Sequence, residues 1–330
     1  MKFAFIDAEK ADWPVRALCR ALQVSPSGLY AWKARPESRH ARADQRLGVQ
    51  MREAHERSRK TYGSPRIHAV LRAEGIRVSR KRVIRLMQQQ GLQGRGRRRY
   101  KVTTDSDHGL PVAENVLGRD FVAQAPNQRW VGDVTELRIP QGRLFLAVIL
   151  DLFSRAVVGW ALSTVNDRRL AQRALEAAVG RRAPPPGLLH HTDQGSPYAS
   201  EDYQNALRRV GFRCSMSRRG NCYDNAPMES FFNTLKTELA EDFESPSAAW
   251  RSIFDYIEVF YNGERLYSSL GYLCPREFEK RARATRAGEY PQQSTGIHRL
   301  PVSPLDPPRI SLQAALLNPN PMDTTPRLRP

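Results

Sequence analysis

From Trp130 to about Phe232 the hydrophobic pattern changes period in a set order, and that order restricts the fold more than any other property of the chain. Trp130–Leu137, Leu144–Asp151 and Ala156–Leu162 are apolar, β-rich runs separated by Pro140-Gln-Gly142 and Phe153-Ser-Arg155. They read as three consecutive antiparallel strands. From Asp167 to Val179 the spacing becomes helical, with Leu170, Ala171, Ala174, Leu175 and Val179 on one face. After Pro184-Pro-Pro-Gly187 come a short strand Leu188–Thr192, a helix near Ser200–Val210 and a short strand near Phe212–Met216. A last helix begins at Ala226 or Pro227. The expectation is an α/β core with a mixed five-stranded sheet.

The first third is different. Residues 1–108 hold 25 basic and 10 acidic residues, which accounts for most of the net charge of +18. Such an excess favours a polyanionic partner. Val15, Leu18, Cys19 and Leu22 repeat at helical spacing, and Ser25-Pro-Ser-Gly28 caps a second helix, so Val15–Lys33 reads as helix-turn-helix. Arg39–Arg59 reads as a polar helix. A second helix-turn-helix candidate follows. Ile67, Val70 and Leu71 pack one helix, which ends at Gly75; Ser79 caps the next, with Val83, Ile84, Leu86 and Met87 inward. Arg77, Arg80, Lys81, Arg82 and Arg85 are then expected outward, the split a recognition helix needs. Gly91–Asp107 reads as a linker whose Arg95-Gly-Arg97-Arg98-Arg99 cluster suits phosphate contact without base readout. These features predict an all-α DNA-binding region before the core: 1–60 and 61–108 as helical units, 120–280 as the core with C-terminal helices, and 281–330 as a Pro-rich, disordered tail.

Three carboxylates stand out in the core. Asp133 lies in Trp130-Val-Gly-Asp-Val-Thr135, Asp193 in His190-His-Thr-Asp-Gln-Gly-Ser196, and Glu229 in Ala226-Pro-Met-Glu-Ser-Phe-Phe232. The element order is that of the ribonuclease-H-like, integrase-type fold, with one carboxylate on the first strand, one just after the fourth and one on a later helix. Carboxylates converging from separate elements can hold two divalent cations for in-line displacement at phosphorus. Hard oxygen ligands favour Mg²⁺ or Mn²⁺, two ions per site. Lys236, seven residues after Glu229, and Asn233, four after it, share its helix face and are candidates for DNA contact. Gln194-Gly-Ser196 is placed to approach the substrate backbone, and Tyr223-Asp-Asn225 to order a loop over the site. Spacing alone leaves Glu136, Asp151 and Asp224 as competing acids, and by itself Asp193 reads as a turn residue. His190 and His191 point to opposite faces of a strand, which argues for a structural role over ligation.

None of the four cysteines forms a C-x-x-C pair, which predicts reduced thiols rather than a zinc site or a disulfide framework. The N-terminal stretch has no signal-peptide core, and no run of about 18 apolar residues exists to span a membrane. The expected compartment is the bacterial cytoplasm, in association with the nucleoid.

At these motifs the chain resembles bacterial insertion-sequence transposases of the DDE retroviral-integrase superfamily, and more narrowly the second-frame (OrfB) products of the insertion-sequence-three family. The matching stretches are Tyr62-Gly-Ser-Pro-Arg-Ile67, Trp130–Thr135, His191–Ser196, Ser217-Arg-Arg-Gly-Asn-Cys-Tyr-Asp-Asn-Ala226 and Glu229-Ser-Phe-Phe-Asn-Thr-Leu-Lys236. Tyr261-Asn262, Arg265, Leu270-Gly-Tyr272 and Pro275 continue them. The resemblance implies that Asp133, Asp193 and Glu229 are the catalytic, metal-binding triad, accompanied by Lys236. It implies metal-dependent cleavage at the element's terminal inverted repeats, then attack of the freed 3′-hydroxyl on target DNA. It also implies a partnership or frameshift fusion with a first-frame (OrfA) product and a multimer on DNA, this chain being the catalytic half. Two features depart from the family: Tyr267 stands where a His is usual, and the Pro-rich tail is long. The competing readings are a nuclease of the same fold without strand transfer, and a DNA-binding regulator with an inactive core.

Overall fold

The computed structural model describes residues 1–96, 109–140, 142–239 and 243–288. Met1–Arg283 form one unit and Ala284–Pro330 another, of which only residues 284–288 are described. Beyond residue 288 the Pro-rich tail, like the Arg97–Arg99 cluster, lies outside the described residues; residues 281–286, expected within a disordered tail, are helical.

The N-terminal half of the first unit is helical. Helices α1 (Lys2–Glu9), α2 (Val15–Ala21) and α3 (Pro26–Ala34) enclose a small core of Ile6, Cys19 and Leu29. The Ser25 hydroxyl accepts the Gly28 amide at 3.0 Å, which closes the start of α3 with Pro26 in its first turn. Helices α4 (Arg39–Arg57), α5 (Ser64–Ala73) and α6 (Arg80–Gln89) follow. Ser38 and Ser79 cap α4 and α6 through the Ala41 and Arg82 amides. Gly75, at φ +79°, makes the left-handed turn out of α5. Both helix-turn-helix pairs form where the sequence predicts them.

The sheet is mixed and five-stranded. Strands β1 (Arg129–Ile139), β2 (Gly142–Asp151) and β3 (Val157–Ser163) form an antiparallel meander. Helix α7 (Arg168–Arg182) leads to β4 (Leu189–Thr192), which pairs parallel to β1. Helices α8 (Ser196–Ala199) and α9 (Glu201–Arg209) return the chain to β5 (Arg213–Met216), parallel to β4. The strand order is β3-β2-β1-β4-β5. Side chains of a strand alternate between faces, and β2 divides cleanly. Leu144, Leu146, Val148 and Leu150 join one core, while Ala147 and Ile149 join the other, under α7 to α9.

Helix α10 (Ala226–Glu238) covers the first face with Met228, Phe231, Phe232 and Leu235. Helix α11 (Pro246–Phe254), a π-helical stretch Asp255–Tyr261 and α12 (Pro275–Arg286) complete the described chain. Leu47 and Met51 of α4, Ile67 and Leu71 of α5, and Val83 and Leu86 of α6 belong to this same core. The second helical unit, joined by α4 that was expected with the first, is thus packed on the α/β core, not tethered to it.

Candidate active site

Asp133 points to the α10 face of β1, because Val131 and Leu137, two before and four after it, are buried there. On β4 the register pairs Val131 with His191. Carried two residues further, it sets Asp193, just past the strand end, beside Asp133 and on the same face. Asp193 also serves the turn: its Oδ1 accepts the Gly195 amide at 2.9 Å. A Cβ on Gly195 would stand 2.9 Å from that oxygen, so a side chain there would push the Asp193 carboxylate out of its place. Glu229 lies in the first turn of α10, where the helix dipole favours an anion. Three elements thereby bring one carboxylate each to the same place.

The electrostatics of Asp133 register that convergence. Burial, then the Asp193 carboxylate, and more weakly Glu229, raise its pKa well above the usual carboxylate range; the Val134 amide and the Lys236 ammonium oppose this. Its Oδ1 accepts the Val134 amide at 2.7 Å. Among the described residues no three Asp, Glu, His or Cys side chains stand together at ligand distance, so the carboxylates converge without forming a closed ligand set. Tyr198 of α8 is a neighbour that the sequence reading assigned no role. It is buried, and its hydroxyl is pushed well above its ordinary pKa by burial and by Tyr203, Asp133 and Asp193. Its only sequence signal was its place at the end of the stretch following Asp193.

The competing acids are occupied elsewhere. Asp151 is buried and accepts the Asn127 amide, the Phe153 amide and the Trp130 indole, at 2.7, 2.8 and 3.2 Å. Glu136 pairs with Arg143 at the surface. Asp224 is the knot of the Ser217–Asn225 loop. It accepts the Arg218 amide and guanidinium, the Arg119 guanidinium at 2.7 Å and the Asn115 amide at 2.9 Å. The Arg218 side chain, foremost, holds this carboxyl far below its ordinary pKa. Asn225 then donates to the Gly132 carbonyl at 3.2 Å, tying the start of α10 to the strand beside Asp133. Both histidines are buried. His190 meets the Tyr203 hydroxyl at 2.8 Å, and His191 meets Ser215 and Ser217 at 2.8 and 3.1 Å. Burial lowers their pKa values to about 3 and about 4. Neutral rings fixed by hydroxyls suit the structural role expected of them.

Among the candidate DNA contacts, Asn233 and Lys236 lie half-buried on α10, and Arg80 and Lys81 are exposed on α6. Arg85 is exposed as expected, whereas Arg82 is less so, and both carry a partner. Both reach back to Asp44 of α4 at 2.7 Å, and Arg82 is half-buried. The helical wheel of α6 gives their direction but not the acid that α4 presents to them. Arg95, read as a phosphate contact, instead donates to the Thr237 and Glu238 carbonyls at 3.3 and 3.1 Å. Tyr267 fits its place: its hydroxyl is 2.8 Å from that of Tyr261, and the Arg265 guanidinium lies 4.5 Å from its ring centre.

The family models and the curated relatives agree with this architecture. The family "Integrase core domain" matches residues 123–222, a second Integrase core domain family matches 210–275, and "HTH-like domain" matches 42–100. The chain is 42% identical over 285 residues to Transposase InsF for insertion sequence IS3A of Escherichia coli strain K12, covering 85% of this chain and 99% of that one. It is 41% identical over 266 residues to the insertion element IS600 uncharacterized 31 kDa protein of Shigella sonnei, covering 80% and 98%. Among solved structures, the HTLV-2 integrase catalytic core domain in complex with magnesium aligns with 47% of this chain and 98% of its own, at 18% identity and TM-score 0.37.

Proposed function

Because this chain belongs to the family of the IS3-type insertion-sequence transposases, DDE polynucleotidyl transferases with an integrase core, we propose that Asp133, Asp193 and Glu229 are its catalytic carboxylates. The observation that carries this reading is the convergence of Asp193, Glu229 and Lys236 on Asp133, felt in the raised pKa of that carboxyl. The partner is DNA, in keeping with the helix-turn-helix-like and integrase domains. The finer assignment is to the element's terminal inverted repeats and to target DNA, with cleavage at the ends followed by strand transfer.

The three carboxylates fit hard divalent cations, Mg²⁺ or Mn²⁺. The donor set is all oxygen, and mutual repulsion around half-buried Asp133 is the strain that a cation relieves. When bound, two such ions activate the attacking oxygen and neutralise the leaving one. The chain's own contributions are separate. Asp133 holds its oxygens on β1 and Asp193 just past the end of β4, and the dipole of α10 favours a negative charge at Glu229. Lys236 offers its ammonium to the substrate phosphate. The Asp224 knot and Asn225 hold the loop that delivers α10. Exposed Arg80 and Lys81 of α6 contact the DNA backbone, and Arg97, Arg98 and Arg99 extend that contact. A first-frame product and a multimer on paired ends complete the assembly. The compartment is the bacterial cytoplasm; among the described residues no helix is long and apolar enough to cross a membrane.

The test is strand transfer in vitro with the element's own ends, Mg²⁺, and the chain with and without the upstream reading frame, beside Glu229→Gln. Joined products from wild type, and none from the variant, are expected. Cleavage without joining would favour a nuclease, and a fully active Glu229→Gln would remove Glu229 from the triad.

A further inference from the structure

Helix α10 enters the site at one end and is clamped at the other. Glu229 is in its first turn, Lys236 in its last, and Glu238 is its final residue. The Glu238 side chain is only 6% exposed. It accepts Arg265 Nε and Nη2 at 2.7 and 2.8 Å and the Tyr256 hydroxyl at 2.9 Å. From α5, Arg66 Nη1 approaches it to 3.6 Å. The last carbonyls of a helix lack donors within the helix, and here Arg95 supplies one to Thr237 and Glu238. Arg95 is itself anchored, its amide donating to the Thr61 carbonyl at 3.3 Å. Beside it Gly94 lies so close to Gly63 that a Cβ would stand 2.7 Å from the Gly63 nitrogen. Tyr62 closes the same junction by accepting the Leu266 amide at 2.7 Å. Two of the cations on this helix end, Arg66 and Arg95, therefore come from the stretch that matches the HTH-like domain.

We propose that Arg66 and Arg95 are positioning residues for the reaction: through the end of α10 they set where Glu229 and Lys236 stand relative to Asp133 and Asp193. The inference rests on the assignment of Glu229 to the site. A helix rises about 1.5 Å per residue and transmits an axial shift as a rod, so Glu238 fixes a carboxylate about 13 Å away. A misplacement of about 1 Å at a reacting centre can cost about a hundredfold in rate. The helical unit that docks on DNA and the helix that carries catalytic groups would then keep one register. Arg95 is exposed, and exposed charge contacts contribute little to stability. Its effect should appear in rate.

The experiment compares the full chain with Arg95→Met, Arg66→Met, their double variant, Arg95→Lys and Glu229→Gln. Melting temperature, affinity for an element end, single-turnover joining and Mn²⁺ binding by the protein alone are measured. For the double variant we expect joining to fall about tenfold or more, with end affinity held within about twofold. Arg95→Lys should recover most of the single-variant loss. Joining that stays within about twofold of wild type, or that falls only in proportion to folded protein or end affinity, overturns the proposal. Mn²⁺ binding serves as a readout independent of turnover: weaker binding in the double variant at unchanged melting temperature supports it, and unchanged binding overturns it. Glu229→Gln separates the two ideas. If that variant joins DNA and binds Mn²⁺ like wild type, the site assignment fails whatever the arginine variants do.

Discussion

Asp133 holds a proton more readily in the folded chain than in the unfolded one, because burial and the Asp193 carboxylate both disfavour its charge. For a carboxyl raised in this way, the folded state binds more protons, so its favourable contribution is present below the unfolded pKa near 3.8 and is lost as pH rises through the folded value. At neutral pH this carboxyl therefore works against stability. Asp133→Asn should melt above wild type at neutral pH in metal-free buffer, with the difference shrinking as pH falls toward 4, while joining is lost. A variant that melts at or below wild type throughout would show that the carboxylate is not under strain. Reading wild type against variant is necessary because buried His190 and His191, with lowered pKa values, favour the fold above their unfolded pKa of 6.5 and lose that contribution on acidification. At the residue scale the motifs singled out Asp133, Asp193 and Glu229, but spacing left Glu136, Asp151 and Asp224 beside them, and only the resemblance ranked the three together; the partners of the other acids, which lie far off in sequence, could not be read. Tyr198 was missed because nothing in the linear pattern says that α8 folds its ring back toward the two aspartates.

At the scale of elements, the strands were read from alternation and two of the capped helices from Ser25 and Ser79, since those signals are local. Helix α1 was not. It starts without a side-chain cap, and only Ile6 of its residues is buried. The orientation of α6 was read but not the fate of Arg82 and Arg85, because Asp44 reaches them from 38 and 41 residues away. Close packing between elements is similarly silent in one-dimensional pattern. Gly159 of β3 lies so tightly under α7 that a Cβ would run into the Ala174 carbonyl oxygen and stand 2.6 Å from Ala178 Cβ. Backbone cannot swing aside as a long side chain can. Gly159→Ala should destabilise by about 1–3 kcal/mol, seen as a lower urea midpoint. Gly48→Ala, whose nearest neighbour is the movable end of Gln90, should cost less. Equal losses at the two positions would mean that β3 and α7 can separate without penalty.

For the whole first unit, the arrangement of cores divides the two helix-turn-helix pairs, although they look alike in sequence. The α1–α3 helices close on their own small cluster of Ile6, Cys19 and Leu29. The α4–α6 helices share one core with the sheet and α10, and add Arg66, Arg95 and Tyr62 to its polar edge. Removing residues 1–34 should therefore leave the melting temperature of the remainder close to that of the full chain, while weakening binding to an element end. Removing residues 1–96 would uncover the apolar surface that Met51, Ile67 and Leu71 now cover. Each such side chain contributes about 1.5–3 kcal/mol of burial, and their loss exceeds what a marginally stable domain tolerates. That second truncation should give a chain that binds hydrophobic dye and unfolds without a cooperative transition. Melting curves of the two truncations decide the matter. If the chain lacking residues 1–96 unfolds as sharply and at the same temperature as the full protein, the second helical unit is an appended module, and the shared core gives it no structural hold on α10.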